Sequence, residues 1–264
     1  MAESLVFNGN SSITKGTVIF EKGQPLQSTA LILKGRVIVQ GEGVRMTIGS
    51  GNFLGMCDVW KKEHSFTYVA LDDLVLFGLP MENEKQAALL LEQKPQYRGL
   101  LVTSLNFFYH DVFRVFGKLK TETEKVAEFV HQTYSRYQKL AEGAGLTAEK
   151  IAAMERLLNQ RMENYSLSEK ITYFIQCSKI PIEAQKNYYG ASAYVAQKQF
   201  EEQCAVLPQL VAGCRYYSDW LTRYFRIMIM DEKNLFSLVG RMALGVRRSG
   251  QNAVSYTHLR AHET

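Results

Sequence analysis

The chain has 264 residues, of which 46% are hydrophobic and 22% charged, values that are ordinary for a globular protein of one large or two modest domains. Its formal net charge of +5 does not by itself indicate a nucleic-acid partner. The four cysteines are scattered without a C-x-x-C pair, which argues against a zinc site or a disulfide framework and predicts a reducing, cytoplasmic location.

The sequence predicts neither a signal peptide nor a membrane span. Residues 1–10 lack a positively charged start and an apolar run. The longest apolar stretch is interrupted by Arg223, Arg226 and Asp231. Residues 254–264 resemble a translated sequencing adapter, so we expect 253–264 to be an artefact and the natural protein to continue beyond Asn252.

Residues 16–79 consist of short apolar runs, rich in β-branched residues, that are separated by glycines. Strands are predicted at 17–20, 30–33, 36–39, 44–48, 66–70 and 74–77, with the residues up to 12 as a lead-in segment. Lys34-Gly35 is predicted to join two of these strands as a hairpin, and Gly41-Glu42-Gly43 to form the next turn. The pattern is typical of an antiparallel barrel or sandwich.

From Met81 onward the period of the apolar residues changes from two to about 3.6, which predicts helices. Pro95 is expected to begin a helix. The apolar stripe that starts at Leu100 and ends at Leu140 indicates one long helix or two helices joined near Gly117. Its partner is either a second copy of the chain, giving a homodimer, or a later helix of the same chain. A glycine pair at residues 143 and 145 is expected to end it.

Three more helical segments are predicted. Thr147 is expected to cap a helix that runs to about residue 164, and Ser166 and Glu169 form a capping-box sequence that opens the next one. Residues 185–248 are helical in pattern, with Pro208 as the predicted break.

The order of these pieces over residues 13–105, with Gly51-Asn-Phe53-Leu-Gly55 at its centre, resembles the cyclic nucleotide-binding β-roll of catabolite-activator-type regulators. The resemblance implies an α+β fold, in which an antiparallel β-roll (a double-stranded β-helix) precedes an all-α region. The implied domains are a roll over 1–80, hinge helices and a long connecting helix over 81–145, and an α-helical domain over 146–252.

In that family a Phe-Gly-Glu sequence opens a short helix whose N–H groups face the cyclic phosphate. The Glu accepts a hydrogen bond from the ribose, and an arginine just before the next strand pairs with the phosphate. Here Phe53 and Gly55 match the pattern, but Met56 occupies the acid position. The arginine position falls near Ser65, and no arginine occurs between residues 45 and 98.

Two interpretations of this cassette follow. Either Lys62 or His64 replaces the arginine and the pocket binds another small anion, or the roll has lost its ligand and Met56 and Phe66 fill the space. We favour the second, since a bidentate arginine contact has no equivalent, and we expect neither cyclic AMP nor cyclic GMP nor another cofactor to bind. The candidate ligand-binding residues are Phe53, Gly55, Met56, Cys57, Lys62, His64, Ser65 and Thr67.

Other candidate sites have simpler structural explanations. Cys57 is either a redox-active thiol or a small packing residue, and the second interpretation is favoured. Residues 215–226 interleave arginines with aromatic residues, which is typical of a nucleic-acid or membrane face or, as we favour, of an amphipathic helix. His110 and His131 lie on helix patterns without a metal-ligand cluster.

The sequence lacks the common nucleophile, phosphate-loop and metalloprotease motifs, so we predict that the chain is not an enzyme. The first functional hypothesis is a regulatory or sensory module that signals through its attached helices. The alternative is a transcription regulator whose DNA-binding domain lies outside this sequence. A third hypothesis is a regulatory segment that precedes an enzyme encoded beyond residue 252.

Overall fold

The computed structural model describes residues 7–143, 162–177 and 193–248, in which an N-terminal β-structure is followed by helices. The strands are β1 (Gly9–Ile13), β2 (Val18–Phe20), β3 (Ser28–Lys34), β4 (Arg36–Gly41), β5 (Val44–Gly49), β6 (Phe53–Leu54), β7 (Thr67–Ala70) and β8 (Leu74–Pro80). The helices are α1 (Glu84–Gln93), α2 (Pro95–Gly143), α3 (Glu169–Cys177) and α4 (Ala193–Arg248), with a 3₁₀ turn at Met56–Asp58. The predicted α+β class is confirmed.

The strands form two four-stranded antiparallel sheets, with the orders β1-β8-β3-β6 and β2-β7-β4-β5. The predicted β3–β4 hairpin is wrong, because these consecutive strands lie in different sheets. Gly35 lies between them with φ +93°, and a Cβ there would stand 2.6 Å from Leu74 Cδ2 and 2.8 Å from the carbonyl oxygen of Asp73. The glycine therefore makes a corner between sheets, where a side chain has no space.

The turn between β4 and β5 forms as predicted. Gly41 pairs with Val44, so Glu42 and Gly43 are a two-residue loop. Both have positive φ, 51° and 78°, which is the requirement of the type I′ turn that matches the twist of a hairpin. The loop places the Glu42 carboxylate at the tip of this hairpin.

The predicted lead-in segment is in fact strand β1. It pairs along its whole length with β8, from Gly9 opposite Gly78 to Ile13 opposite Leu74. Its sequence, Gly-Asn-Ser-Ser-Ile, contains residues that are rare in strands, so its local signal is weak. The hydrogen bonds offered by β8 decide its conformation, which is a tertiary effect.

The chain divides into two compact units, one of residues 1–120 and 165–218 and the other of residues 121–164 and 219–264. In the first unit, an apolar cluster joins the roll to α1, α2 and α4. Its buried members are Leu26, Phe53, Met56, Val59, Met81, Ala87, Leu91, Leu101, Leu105, Phe200 and Cys204. Full burial of each large side chain contributes about 1.5–3 kcal/mol, so this cluster fixes the helices on the roll.

Helix α2 begins at Pro95, as predicted, and continues without interruption through Gly117, so the single-helix alternative holds over its described length. The predicted break at Pro208 is wrong, because this proline lies inside α4. A proline costs a helix about 3 kcal/mol, since it cannot donate to the carbonyl four residues earlier. The buried neighbours Leu207 and Leu210, at 4% and 0% exposure, offset that cost by packing.

Helix α3 begins at Glu169, later than the capping box predicts. The Ser168 carbonyl accepts the first bond, from the N–H of Thr172 at 3.1 Å, so Ser168 rather than Ser166 precedes the helix. The helix predicted from Thr147 falls mainly on residues 144–161, which lie outside the described residues, and residues 162–164 are not helical. The predicted domain boundaries stay predictions.

Among the helices within the described ranges, none combines the length and apolarity that a bilayer span needs.

Candidate functional site

The cassette that follows β6 starts at Gly55, whose φ of +75° ends the strand and begins the 3₁₀ turn. A Cβ at this position would stand 2.8 Å from His64 Cε1, so only glycine allows the two segments to approach. The turn has three residues, and the Asp58 N–H already donates to the Gly55 carbonyl at 3.1 Å. It therefore offers far fewer free N–H groups than the start of a long helix does.

Met56, at the acid position of the family's pattern, is 2% exposed and belongs to the apolar cluster with Val59 and Leu101. Phe53 is buried beside it, and its N–H donates to Ser104 Oγ of α2 at 2.9 Å. Only a void of about 10 Å³ remains between these residues and α2. Both residues thus serve as packing contacts between the roll and α2.

Ser65, near the arginine position, donates its N–H to Asp58 Oδ2 at 3.0 Å. The Asp58 carboxyl is almost completely buried, and this burial raises its pKa to about 6. Asp58 is not one of the predicted site residues, although a carboxylate inside an otherwise apolar cassette is a recognisable signal. Its partner could not be foreseen, since the contact depends on how the cassette folds back.

His64 is 2% exposed and stacks on Phe20 with ring centroids 4.3 Å apart. Its Nδ1 lies 4.0 Å from Asp58 Oδ2 and has no hydrogen-bond partner. Burial lowers the pKa of His64 to about 4, so the ring is neutral at pH 7. A neutral, buried imidazole cannot supply the positive charge that the family's arginine gives.

Lys62 and Thr67, two further candidates, make separate contacts with different partners. Lys62 has φ +61° and an exposed side chain, while its N–H donates to the Asp58 carbonyl at 3.0 Å. Thr67 Oγ1 accepts the N–H of Lys22 at 3.1 Å at the start of β7. These two contacts do not bring the side chains of Lys62 and Thr67 to one binding site.

Cys57 has its Sγ 3.9 Å from the hydroxyl of Tyr68, and burial raises the pKa of its thiol well above the usual value. A protonated thiol is a poor nucleophile, so the packing interpretation is favoured. Among the residues with described placement, no group of three or more His, Cys, Asp or Glu side chains is arranged to hold a metal ion.

Helix α4 lies over the cassette, and this arrangement is the main feature that sequence reasoning missed. The Trp60 ring is 4.9 Å from that of Phe200, and Arg215 Nη1 is 3.2 Å from Glu42 Oε2. Between the cassette and this part of α4 is a cleft of about 490 Å³. Its walls include Asp58, Ser65 and Phe66 from the roll, and Cys204, Leu207 and Arg215 from α4.

The aromatic and basic stretch at 215–226 belongs to α4 and has the burial pattern of an amphipathic helix. Tyr217 and Tyr224 are buried at 0% and 1%, whereas Arg223 and Arg226 are exposed. Arg223 Cζ lies 5.2 Å from the centre of the Trp220 ring, so the arginine stem covers an aromatic side chain.

No protein-family profile and no curated protein sequence matches the chain. Solved structures do match. The regulatory subunit of a cAMP-independent protein kinase A from Trypanosoma brucei is 21% identical over 29% of this chain and 30% of its own, with a TM-score of 0.27. The N-terminal domain of a transcriptional regulator from Streptomyces coelicolor is 17% identical over 36% and 69%, with a TM-score of 0.27.

A third match is a cyclic nucleotide-binding-like protein from Brucella abortus, 19% identical over 27% of this chain and 66% of its own, with a TM-score of 0.25. The match with the trypanosomal subunit thus spans under a third of that protein.

Proposed function

We propose that this chain is a regulatory module whose roll controls its attached helices and does not bind a cyclic nucleotide. The observation that carries the proposal is the double replacement in the cassette. Met56 is buried in the core where an acid would face the ribose, and the Ser65 N–H is bonded to Asp58 where an arginine would face the phosphate. Losing the charged arginine contact costs roughly 2–5 kcal/mol of binding free energy.

The connection between the roll and α2 supports a role in transmission. Arg98 of α2 donates from Nε to the Leu91 carbonyl at 2.6 Å and from Nη2 to the Glu92 carbonyl at 3.0 Å. These carbonyls belong to the last turn of α1, which lacks intrahelical partners for them. The arginine therefore ties α1 to α2, so that a displacement of the hinge at residues 80–95 is passed to the long helix.

Calorimetry with cyclic AMP and cyclic GMP up to about 100 μM tests the proposal. We expect no saturable heat and no thermal shift, whereas a ligand of micromolar affinity would add about 2.7 kcal/mol of stability at that concentration. An isotherm with a micromolar dissociation constant for either nucleotide would overturn it.

The alternative of a transcription regulator, the homodimer and the cytoplasmic location stay predictions.

A further inference from the structure

The cleft between the cassette and α4 is large enough and apolar enough for a small organic ligand. Its volume of about 490 Å³ lies within the range of small-molecule sites in proteins, about 300–1,000 Å³. Trp60 and Phe66 contribute aromatic surface from the roll, and Leu207, Pro208 and Val211 contribute aliphatic surface from α4. A ligand with an apolar body would gain from leaving water here, and a small hydrated ion would not.

Each wall of the cleft carries an exposed basic side chain. Lys61 comes from the roll and Arg215 from α4, with their side chains 52% and 65% exposed. The Glu42 carboxylate accepts from Lys22 and pairs with Arg215, and these two cations together with Lys61 lower its pKa. Three cations thus interact with one carboxylate, and Lys61 Nζ also lies 2.8 Å from Glu63 Oε1.

These exposed pairs can be exchanged for contacts with a ligand. Ion pairs between exposed side chains contribute little stability, because water screens the charges and both side chains lose freedom. A carboxylate that enters between Lys61 and Arg215 would replace those contacts by charge-assisted hydrogen bonds, at the edge of a cleft with lower polarity than water.

Asp58 also lines the cleft and limits the charge that a ligand can carry. It is 2% exposed, whereas the side chains of Lys61 and Arg215 are 52% and 65% exposed. Its carboxyl disfavours a second negative charge in the cleft, so the site suits a ligand with one anionic head and an uncharged body.

We propose that this cleft binds an amphipathic organic carboxylate, with the carboxylate between Lys61 and Arg215 and the apolar body between Phe66 and Val211. The proposal rests on the function proposed above and names the class of ligand for it. Because Lys61 belongs to the roll and Arg215 to α4, the ligand would join the two and favour the state in which α4 lies on the cassette.

Fluorescence titration of the full chain with 8-anilinonaphthalene-1-sulfonate, an aromatic anion, tests the site. We expect a saturable blue-shifted signal with one site per chain, displaced by decanoate and not by inorganic phosphate. The K61Q/R215Q variant should bind the dye and decanoate about tenfold more weakly, since it loses charged hydrogen bonds. The K34Q/R45Q variant removes two exposed cations of the roll elsewhere and should bind like the unmodified chain.

A Val211→Trp variant fills the cleft without changing its charge and should abolish dye and decanoate binding. Circular dichroism melting checks that each variant is folded. Absence of saturable binding, equal affinity in K61Q/R215Q, or unchanged binding in the Val211→Trp variant would overturn the proposal.

Calorimetry with cyclic AMP distinguishes the two proposals. Nucleotide binding would overturn the proposed function. Failure of decanoate and the dye to bind, with no nucleotide binding either, would overturn only the ligand class.

Discussion

Gly43, at the tip of the β4–β5 turn, lies against the backbone carbonyl of Cys214 in α4. A Cβ at residue 43 would stand 2.7 Å from that oxygen and 2.9 Å from Ser218 Cβ. The glycine therefore meets two requirements, since its φ of +78° suits the turn and its lack of a side chain lets the helix approach. The contact lies further along α4 than the Trp60–Phe200 ring pair.

Substituting Gly43 by alanine should weaken the contact between the turn and α4. We expect a loss of about 1–2 kcal/mol from the left-handed backbone and about 1–3 kcal/mol from the clash with α4. Gly51→Ala is the matched control, because Gly51 has φ +86° with nothing within 4 Å of its Cβ position. Urea unfolding of both variants measures the difference, and equal losses would contradict a close contact with α4.

Asp58 should make stability depend on pH. Burial raises its pKa from 3.8 to about 6, so the folded state binds the proton more tightly than the unfolded state. This stabilisation is complete below pH 3.8 and is lost as the pH rises through 6, an effect of about 3 kcal/mol. His64 acts in the opposite direction, because its lowered pKa of about 4 gives stability above pH 6.5 that is lost as the pH falls through 4.

The Asp58→Asn variant separates these effects, since an amide oxygen can still accept the Ser65 N–H. As the pH rises from 4 to 7, the free energy of unfolding of the variant should increase by about 3 kcal/mol relative to that of the unmodified chain. Urea unfolding across this range measures it, with Asp73→Asn as a control at an exposed carboxylate. If the free energy of unfolding changes equally with pH in the variant and the unmodified chain, the pKa of Asp58 is not raised by folding, which would contradict the prediction.

Pro208→Ala should stabilise the chain. Alanine at residue 208 supplies an N–H that can donate to the Cys204 carbonyl, which should raise the free energy of unfolding by about 3 kcal/mol. The greater freedom of the unfolded chain lowers it by about 1 kcal/mol. Pro95→Ala is the control, because a proline in the first turn of α2 is favourable and its removal should give no gain. Thermal and urea unfolding compare them, and a Pro208→Ala variant no more stable than the control would contradict a continuous α4.

Helix α2 should support self-association of the chain. Phe107 and Phe129 are 42% and 56% exposed on it, and burial of one such side chain contributes about 1.5–3 kcal/mol. We expect a dimer in sedimentation equilibrium at about 50 μM, weakened about tenfold or more by Phe129→Glu. Leu89→Glu, at a 49% exposed position of α1, serves as the control. A monomer at this concentration would contradict self-association through the exposed side chains of α2.

Parts of the candidate site could be predicted because their signals are local. The glycine at residue 55 predicted a turn, and the methionine at 56 and serine at 65 predicted the absence of the usual charges. The surroundings of Asp58 and His64 could not be predicted, because the burial that shifts their pKa values comes from segments that fold back on the cassette. Lys62 was a candidate on its charge alone, and its backbone directs the side chain to solvent.

Local sequence patterns were sufficient to predict the strands separated by glycines, the Glu42-Gly43 turn, the start of α2 at Pro95, and the absence of an acid at residue 56 and of an arginine near residue 65. These features depend on residues close together in the chain, whose backbone preferences act locally. Three features required the folded chain: β3 and β4 lie in different sheets, α4 continues through Pro208, and α4 covers the cassette. Each of these depends on contacts between distant segments, and the burial gained there outweighs the local preference.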